Sequence, residues 1–217
     1  PESETDREVM ALPQSRPFQV MLDFGTGSLT PSSASFVRRL SDMADAYEDQ
    51  AAVDAILGSG DDPVIYTGFD ADVPQETGHL LFRTTIISAG TVGSEFYMTK
   101  GHHHGRDSAE LYLGMSGEGT MVMETRAGDF AAERLVPSAA VYVPPGWAHR
   151  TVNTGSTPLV FLAVYFGDAG HDYESVRRSG FTRRVHGGHD GPELRADGHG
   201  APAAAPAADP VAGEAAG

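Results

Sequence analysis

The chain has 217 residues, 40% of them hydrophobic and 21% charged, enough for one folded domain with a true core. Its formal net charge of -15 and lack of any basic stripe exclude the electrostatic footprint of a nucleic-acid binder, and give an anionic ligand no long-range attraction. With no cysteine, disulfides, thiolate catalysis and sulfur-ligated zinc are all excluded, so a metal here must use His, Asp or Glu.

Residues 1–16 are polar and read as a loose N-terminus; their acidic start is unlike a signal peptide, and no apolar run approaches the ~20 residues of a membrane helix. A cytoplasmic protein with no membrane partner is expected. Residues 17–75 read as an extension of strand and helix. Phe18 to Phe24 has strand character, broken by Gly-Thr-Gly-Ser. From Ser35 to Leu57 the pattern is helical, with Phe36, Leu40, Met43 and Tyr47 at steps of four, three and four. Asp49 is placed to cap a second short helix that Gly58 would stop.

After Gly58 the texture changes, from "DPVIYTGF" onward, and residues 76–185 read as the main β domain. "HLLFRTTIISAG", "ELYLGMSGEGTMVMET", "FAAERLVPSAAVYVPP" and "LVFLAVYFG" are short β-rich runs bounded by Gly, Pro, Asn or Ser. Closely spaced strands without intervening helices predict an all-β sandwich or barrel. "DAGHDYESVRRSGF" reads as a loop and a short helix. From His186 to Gly217 the composition is Ala, Pro and Gly with little to bury, which predicts a disordered tail.

The chemistry concentrates in "TKGHHHGRDSAELYLGMSGEG". Alternation along a strand sends His102 and His104 to one face and His103 to the other. Two imidazoles on one face, a turn and a returning carboxylate, Glu110, supply three ligands for a divalent metal. "VPPGWAHRTVN" offers a fourth, His149, aimed by the turn before it. Three nitrogens and one carboxylate suit Fe(II), Mn(II), Ni(II) or Zn(II), and affinity order alone does not choose among them.

The spacings His102-x-His104, five residues, Glu110, six residues, Gly117, and Pro144-x-Gly146, two residues, His149, three residues, Asn153, resemble the two motifs of the cupin superfamily. The glycines that usually open these motifs are replaced by Phe96 and Ser138. The resemblance implies a double-stranded β-helix, a jelly-roll barrel, with His102, His104, Glu110 and His149 as metal ligands. "EFYMTKGHHH", "VYVPPGWAHRTVN", "DAGHDY", "VRRLSDM", "DPVIY" and "PFQVMLDFGTG" together are similar to the cupin-type glucose-6-phosphate isomerases, over roughly Pro17 to Val185. In that family the loop between the second histidine and the glutamate is often one residue longer.

That resemblance implies reversible interconversion of glucose 6-phosphate and fructose 6-phosphate, a step of glycolysis and gluconeogenesis, with one divalent metal per chain, iron first. It implies that Glu110, Tyr165 and His171 are catalytic. It implies further that Tyr66, Thr85, Thr99 and the Gly101 N–H hold the phosphate, with Glu95 and Tyr112 near sugar hydroxyls. Lys100 is expected to be the only nearby positive charge, and no arginine cluster is required. Because Gly101 can break the pleat, facing cannot be counted through it. A homodimer is expected, its N-terminal strands pairing or exchanging to cover a sheet edge. The same ligands would also serve a cupin metal dioxygenase, a non-catalytic sugar-phosphate-binding cupin, or an isomerase of mannose 6-phosphate.

Overall fold

The computed structural model describes residues 16–197. Its strands are β1 (Met21–Leu22), β2 (Leu29–Thr30), β3 (Ala34–Arg39), β4 (Val64–Asp70), β5 (Leu80–Ile87), β6 (Thr91–Val92), β7 (Glu95–Phe96), β8 (Glu110–Ser116), β9 (Gly119–Thr125), β10 (Phe130–Leu135), β11 (Ala140–Val143), β12 (Trp147–Asn153), β13 (Leu159–Phe166), β14 (Arg183–Gly188) and β15 (Gly191–Ala196). Two helices, α1 (Gln50–Gly58) and α2 (Tyr173–Ser179), complete it.

The largest sheet has the order β11-β8-β13-β5-β4-β3, and its neighbours are all antiparallel. It faces a three-stranded sheet, β10-β9-β12, which the extended chain from Met98 to His102 joins through single bridges to Val152 and His149 of β12. Leu159, Met121, Ile87, Leu135 and other large apolar side chains fill the space between the sheets with almost no exposure. The non-consecutive order of strands and the facing sheets make the jelly-roll barrel expected of a cupin.

The motif residues outside the metal set hold turns. Asn153 Nδ2 donates to the carbonyls of Ile87 and Thr157, and Asn153 Oδ1 accepts from the Gly155 N–H. Gly117 has φ of 77°, and a Cβ there would run into the Pro158 carbonyl. Ser138, standing where the motif usually has glycine, takes φ of 71° without being glycine.

Two expectations are corrected. The helical pattern from Ser35 to Leu57 is instead the edge strand β3, two 3-10 turns and α1. Leu40, Met43 and Tyr47 are buried as their periodicity requires, but tertiary bonds override the helix. β3 pairs along β4, the Leu40 N–H donates to the Pro63 carbonyl, and the Ser41 N–H and hydroxyl donate to the Asp62 carboxylate. The Asp49 cap is as expected: its side chain accepts from the Ala52 N–H, and α1 ends at Gly58.

The start of the predicted tail is ordered too. β14 and β15 form a hairpin through Arg183–Ala196 that joins β7 at His186–Glu95. Gly188 and Gly191 flank its turn, so these glycines shape a hairpin rather than a loose tail, while Val185 and His186 are buried. Arg184 anchors it: Nη1 donates to Glu95 Oε1 at 2.9 Å and to the Ala46 carbonyl at 2.7 Å, and Nε lies 3.1 Å from Asp197. The remainder of the predicted tail, and residues 1–15 of the predicted loose N-terminus, lie outside the described residues.

Two stability measurements check these contacts. Arg184→Ala leaves Glu95, 2% exposed, without its cation, and should cost about 3–5 kcal/mol, read as a lower denaturant midpoint. Ser138→Gly should raise the melting temperature, because a non-glycine residue in the left-handed region carries about 1 kcal/mol of strain.

Candidate metal centre and cavity

Glu110 opens β8, where it pairs with Val143 on one side and Tyr165 on the other. His149 lies in the middle of β12. His102 and His104 arrive on the extended segment that runs antiparallel to β12, held by two backbone bonds between His102 and His149 of 3.2 and 3.1 Å. The segment can fold this way because Gly101 takes φ of 75°, and a Cβ there would strike Phe181 and the His149 carbonyl. His103 points elsewhere: its backbone pairs with Asp172, and it stays outside the cluster.

One donor atom from each of His102, His104, Glu110 and His149 lies within 4.8 Å of the others. Glu110 Oε2 is the common point, 3.0 Å from His104 Nε2, 2.9 Å from His149 Nε2 and 3.9 Å from His102 Nε2. Burial alone would raise the Glu110 carboxyl, but the surrounding imidazoles outweigh it and hold the group well below the usual carboxylate range. Burial, and then the neighbouring His149, pushes His102 well below its ordinary value, so its ring is neutral.

The tautomers are set from behind. His104 Nδ1 is 2.8 Å from the Ser108 carbonyl and His149 Nδ1 is 3.3 Å from the Trp147 carbonyl, so an Nδ1–H donating to each carbonyl would leave Nε2 free to hold a cation at the centre. The buried Nε2 atoms of His102 and His149 have no hydrogen-bond partner of acceptable geometry among the described residues. Three imidazole nitrogens converging on a carboxylate oxygen in a buried site fit a divalent cation, and the donor set, nitrogen with one oxygen, fits a first-row transition metal.

The centre opens onto a cavity of about 870 Å³. Tyr165, 3% exposed, lies beside Glu110 in register, and burial pushes its phenol up to about 12. The His171 ring is 4.5 Å from His102 and 5.4 Å from Tyr165, and burial lowers it to about 4. At neutral pH the first is therefore a donor phenol and the second a neutral base. Tyr112 lies over His149 at 5.6 Å and is raised well above its ordinary value, by burial first and then by Glu110.

Tyr66, Thr85, Thr99, Lys100 and Gly101 line the same cavity. The Thr99 hydroxyl accepts from the Thr151 N–H at 3.1 Å. Both Thr99 and Lys100 reach the cavity wall with His102, so the break at Gly101 does remove strand parity. Glu95 does not join them. Its carboxylate is closed by Arg184 and by the Glu48 N–H at 3.0 Å, because β7 faces the hairpin sheet rather than the barrel interior.

Several wall residues are not among those expected from the sequence, Tyr173, Arg38 and Arg83 among them. Tyr173 stacks on His171 with ring centroids 5.6 Å apart and planes 8° from parallel. Arg38 and Arg83 also line the cavity, so Lys100 is not its only positive charge. The sequence does carry a signal for Arg83: it stands two residues from Thr85 on one strand, which puts both on one face.

With the geometry in hand, the relatives are informative. The sequence profile of the family described as Glucose-6-phosphate isomerase (GPI) matches residues 37–192. The chain belongs to this family. Glucose-6-phosphate isomerase of Thermococcus gammatolerans is 44% identical over 171 residues, covering 78% of this chain and 89% of that protein. The enzyme of Thermococcus litoralis is 45% identical over 170 residues, covering 78% and 88%. A bacterial relative of the same name, from Sinorhizobium medicae, is 34% identical over 168 residues, covering 77% and 78%. All four candidate ligands fall inside the span matched by the family profile.

If the four donors form one site, His149→Ala should cut the bound divalent metal from about one per chain to well under half after dialysis, as read by elemental analysis. Replacing His103, which faces away, should leave the metal content unchanged.

Proposed function

We propose that this chain is a metal-dependent glucose-6-phosphate isomerase, interconverting glucose 6-phosphate and fructose 6-phosphate. The observation that carries this reading is one cavity that joins a four-donor metal centre to a wall of hydroxyls and cations, in a chain of that family. A divalent metal held by His102, His104, Glu110 and His149 would supply Lewis-acid polarisation of the sugar's carbonyl end. Iron is our first choice of metal, with manganese, nickel and zinc compatible with the same ligands.

The protein's own groups do the rest. The Tyr66, Thr85 and Thr99 hydroxyls and the Gly101 N–H are suited to phosphate oxygens, as donors beside a left-handed glycine. Holding that end fixes C1 and C2 near Glu110, which turns a bimolecular encounter into a positioned one. Glu110, ionised at neutral pH, takes the C2 proton of glucose 6-phosphate and returns it to C1. Tyr165 as donor and His171 as neutral base exchange protons at the sugar oxygens during ring opening and transfer. Tyr112, which lines the cavity, would meet a sugar hydroxyl.

We place the protein in the cytoplasm, in glycolysis and gluconeogenesis, as a homodimer. No described helix is long and apolar enough to cross a membrane. The dimer reading rests on Met21 and Phe24, 63% and 55% exposed beside the two-stranded β1–β2 ribbon, and on β3 as the edge of the main sheet.

Protein stripped with a chelator should show no formation of glucose 6-phosphate from fructose 6-phosphate in an assay coupled to its oxidation. Adding Fe(II), Mn(II), Ni(II) or Zn(II) should restore turnover with at least one metal. Undiminished turnover after verified metal removal would contradict the proposal, as would metal binding without turnover on this substrate.

A further inference from the structure

Arg83 occupies a singular place in the cavity. It lies on β5 between two rows of functional side chains. In the sheet register its neighbours are Asp70 and Ala163, and Ala163 in turn pairs with Tyr112. Thr85 follows two residues later on the same face, and Tyr165, two residues beyond Ala163 on β13, belongs to the row of Glu110.

The guanidinium is held on three sides. Asp70 Oδ1 accepts from Nε at 2.8 Å and lies 2.7 Å from Nη2. Cζ sits 5.2 Å from the Phe36 ring centroid and 5.7 Å from that of Tyr165. Among the described residues, Nη1 makes no hydrogen bond. A cation fixed by one carboxylate and two aromatic rings has lost its side-chain freedom before any ligand arrives, which favours binding through the remaining N–H groups. Arg38 lies 5.1 Å from the Phe36 ring and lines the same wall. The Arg83 charge also reaches Tyr66, Tyr112, Tyr165 and Tyr173, opposing the rise that burial imposes on each phenol.

A chain with net charge -15 repels a phosphate dianion at long range, so the attraction has to be local. Hydroxyls and one N–H orient phosphate oxygens, but they do not neutralise two charges. The carbonyl end of the substrate has the metal centre; the phosphate end has only what the cavity wall offers. We propose that Arg83 is the cationic anchor of the substrate phosphate, a specificity residue that selects sugar phosphates over free sugars. This rests on the isomerase reading above. Arg83 binds the dianion through charge-assisted hydrogen bonds from the guanidinium edge that Asp70 leaves open. Asp70 orients it, and Phe36 and Tyr165 keep it from swinging out of the cavity.

The test uses metal-loaded full-length protein and two probes, fructose 6-phosphate turnover and inhibition by inorganic phosphate. Arg83→Gln should raise KM for fructose 6-phosphate and the inhibition constant for phosphate by roughly tenfold or more, with kcat changed by less than about threefold. Arg83→Lys should recover part of the phosphate affinity, since it restores charge without the fork. Metal content and melting temperature report whether either variant has lost its fold or its metal centre. If Arg83→Gln misfolds, Arg83→Lys carries the test, and unchanged phosphate inhibition in it overturns the anchor. Unchanged KM and phosphate inhibition in folded Arg83→Gln would overturn the proposal. So would a fall in kcat alone, which would put Arg83 at the reacting carbons. Should the unaltered protein fail to isomerise fructose 6-phosphate, the isomerase reading fails by itself. Calorimetric titration of phosphate into both proteins then still decides Arg83, equal affinity counting against it.

Discussion

His102 and His149 exchange two backbone hydrogen bonds, at 3.2 and 3.1 Å, on the inner side of the barrel. That pair ties the segment bearing two imidazoles to the strand bearing the third, and Glu110 at the head of β8 meets them from the facing sheet. The centre therefore depends on the closure of two sheets on each other. Its donors come from strands and from one chain segment pinned to a strand, which gives better precision than mobile loops would. The glycine at 101 is what allows the pinned segment to turn its histidines inward while bringing Thr99 and Lys100 to the same wall.

Burial favours the neutral form of most groups here. It drives His102 and His171 towards the neutral form and keeps Tyr112 and Tyr165 protonated. Glu110 escapes this trend because imidazoles surround it. Around the metal centre the cavity thus sets neutral bases and neutral donors beside the Glu110 carboxylate, a spread of acidities suited to moving protons among adjacent oxygens and carbons. Charges at the wall include Arg83 with Asp70, Arg38 over Phe36, Lys100 and the buried Arg150. At the far end of the cavity lining, the Arg184–Glu95 pair does a structural job, attaching the C-terminal hairpin to β7.

The grouping of His102, His104, Glu110 and His149 is legible because strand alternation and motif spacing are local properties of the sequence. So are the Asp49 cap, the short helix α2 and the barrel itself. What escaped the reading depends on partners distant in the chain. Phe36 to Tyr47 has helical spacing, yet β4 and Asp62 supply hydrogen bonds that make it a strand and two tight turns. The Arg183–Ala196 hairpin was hidden by the composition that follows it, since averaging over an Ala- and Pro-rich stretch dilutes six-residue strands. Glu95 looked available to a sugar because nothing in its neighbourhood announces Arg184, which is 89 residues away. Arg83 is the opposite case: its signal is local, since it stands two residues from Thr85 on the same face of β5.

The most direct test of the account is anomalous diffraction at the absorption edge of the metal that supports turnover, from a crystal of the loaded protein. One strong peak should lie at bonding distance from Nε2 of His102, His104 and His149 and from a Glu110 carboxylate oxygen, with the cavity open on its remaining side. A peak elsewhere in an active protein, or none at these four donors, would contradict the assignment of the metal centre and the chemistry built on it.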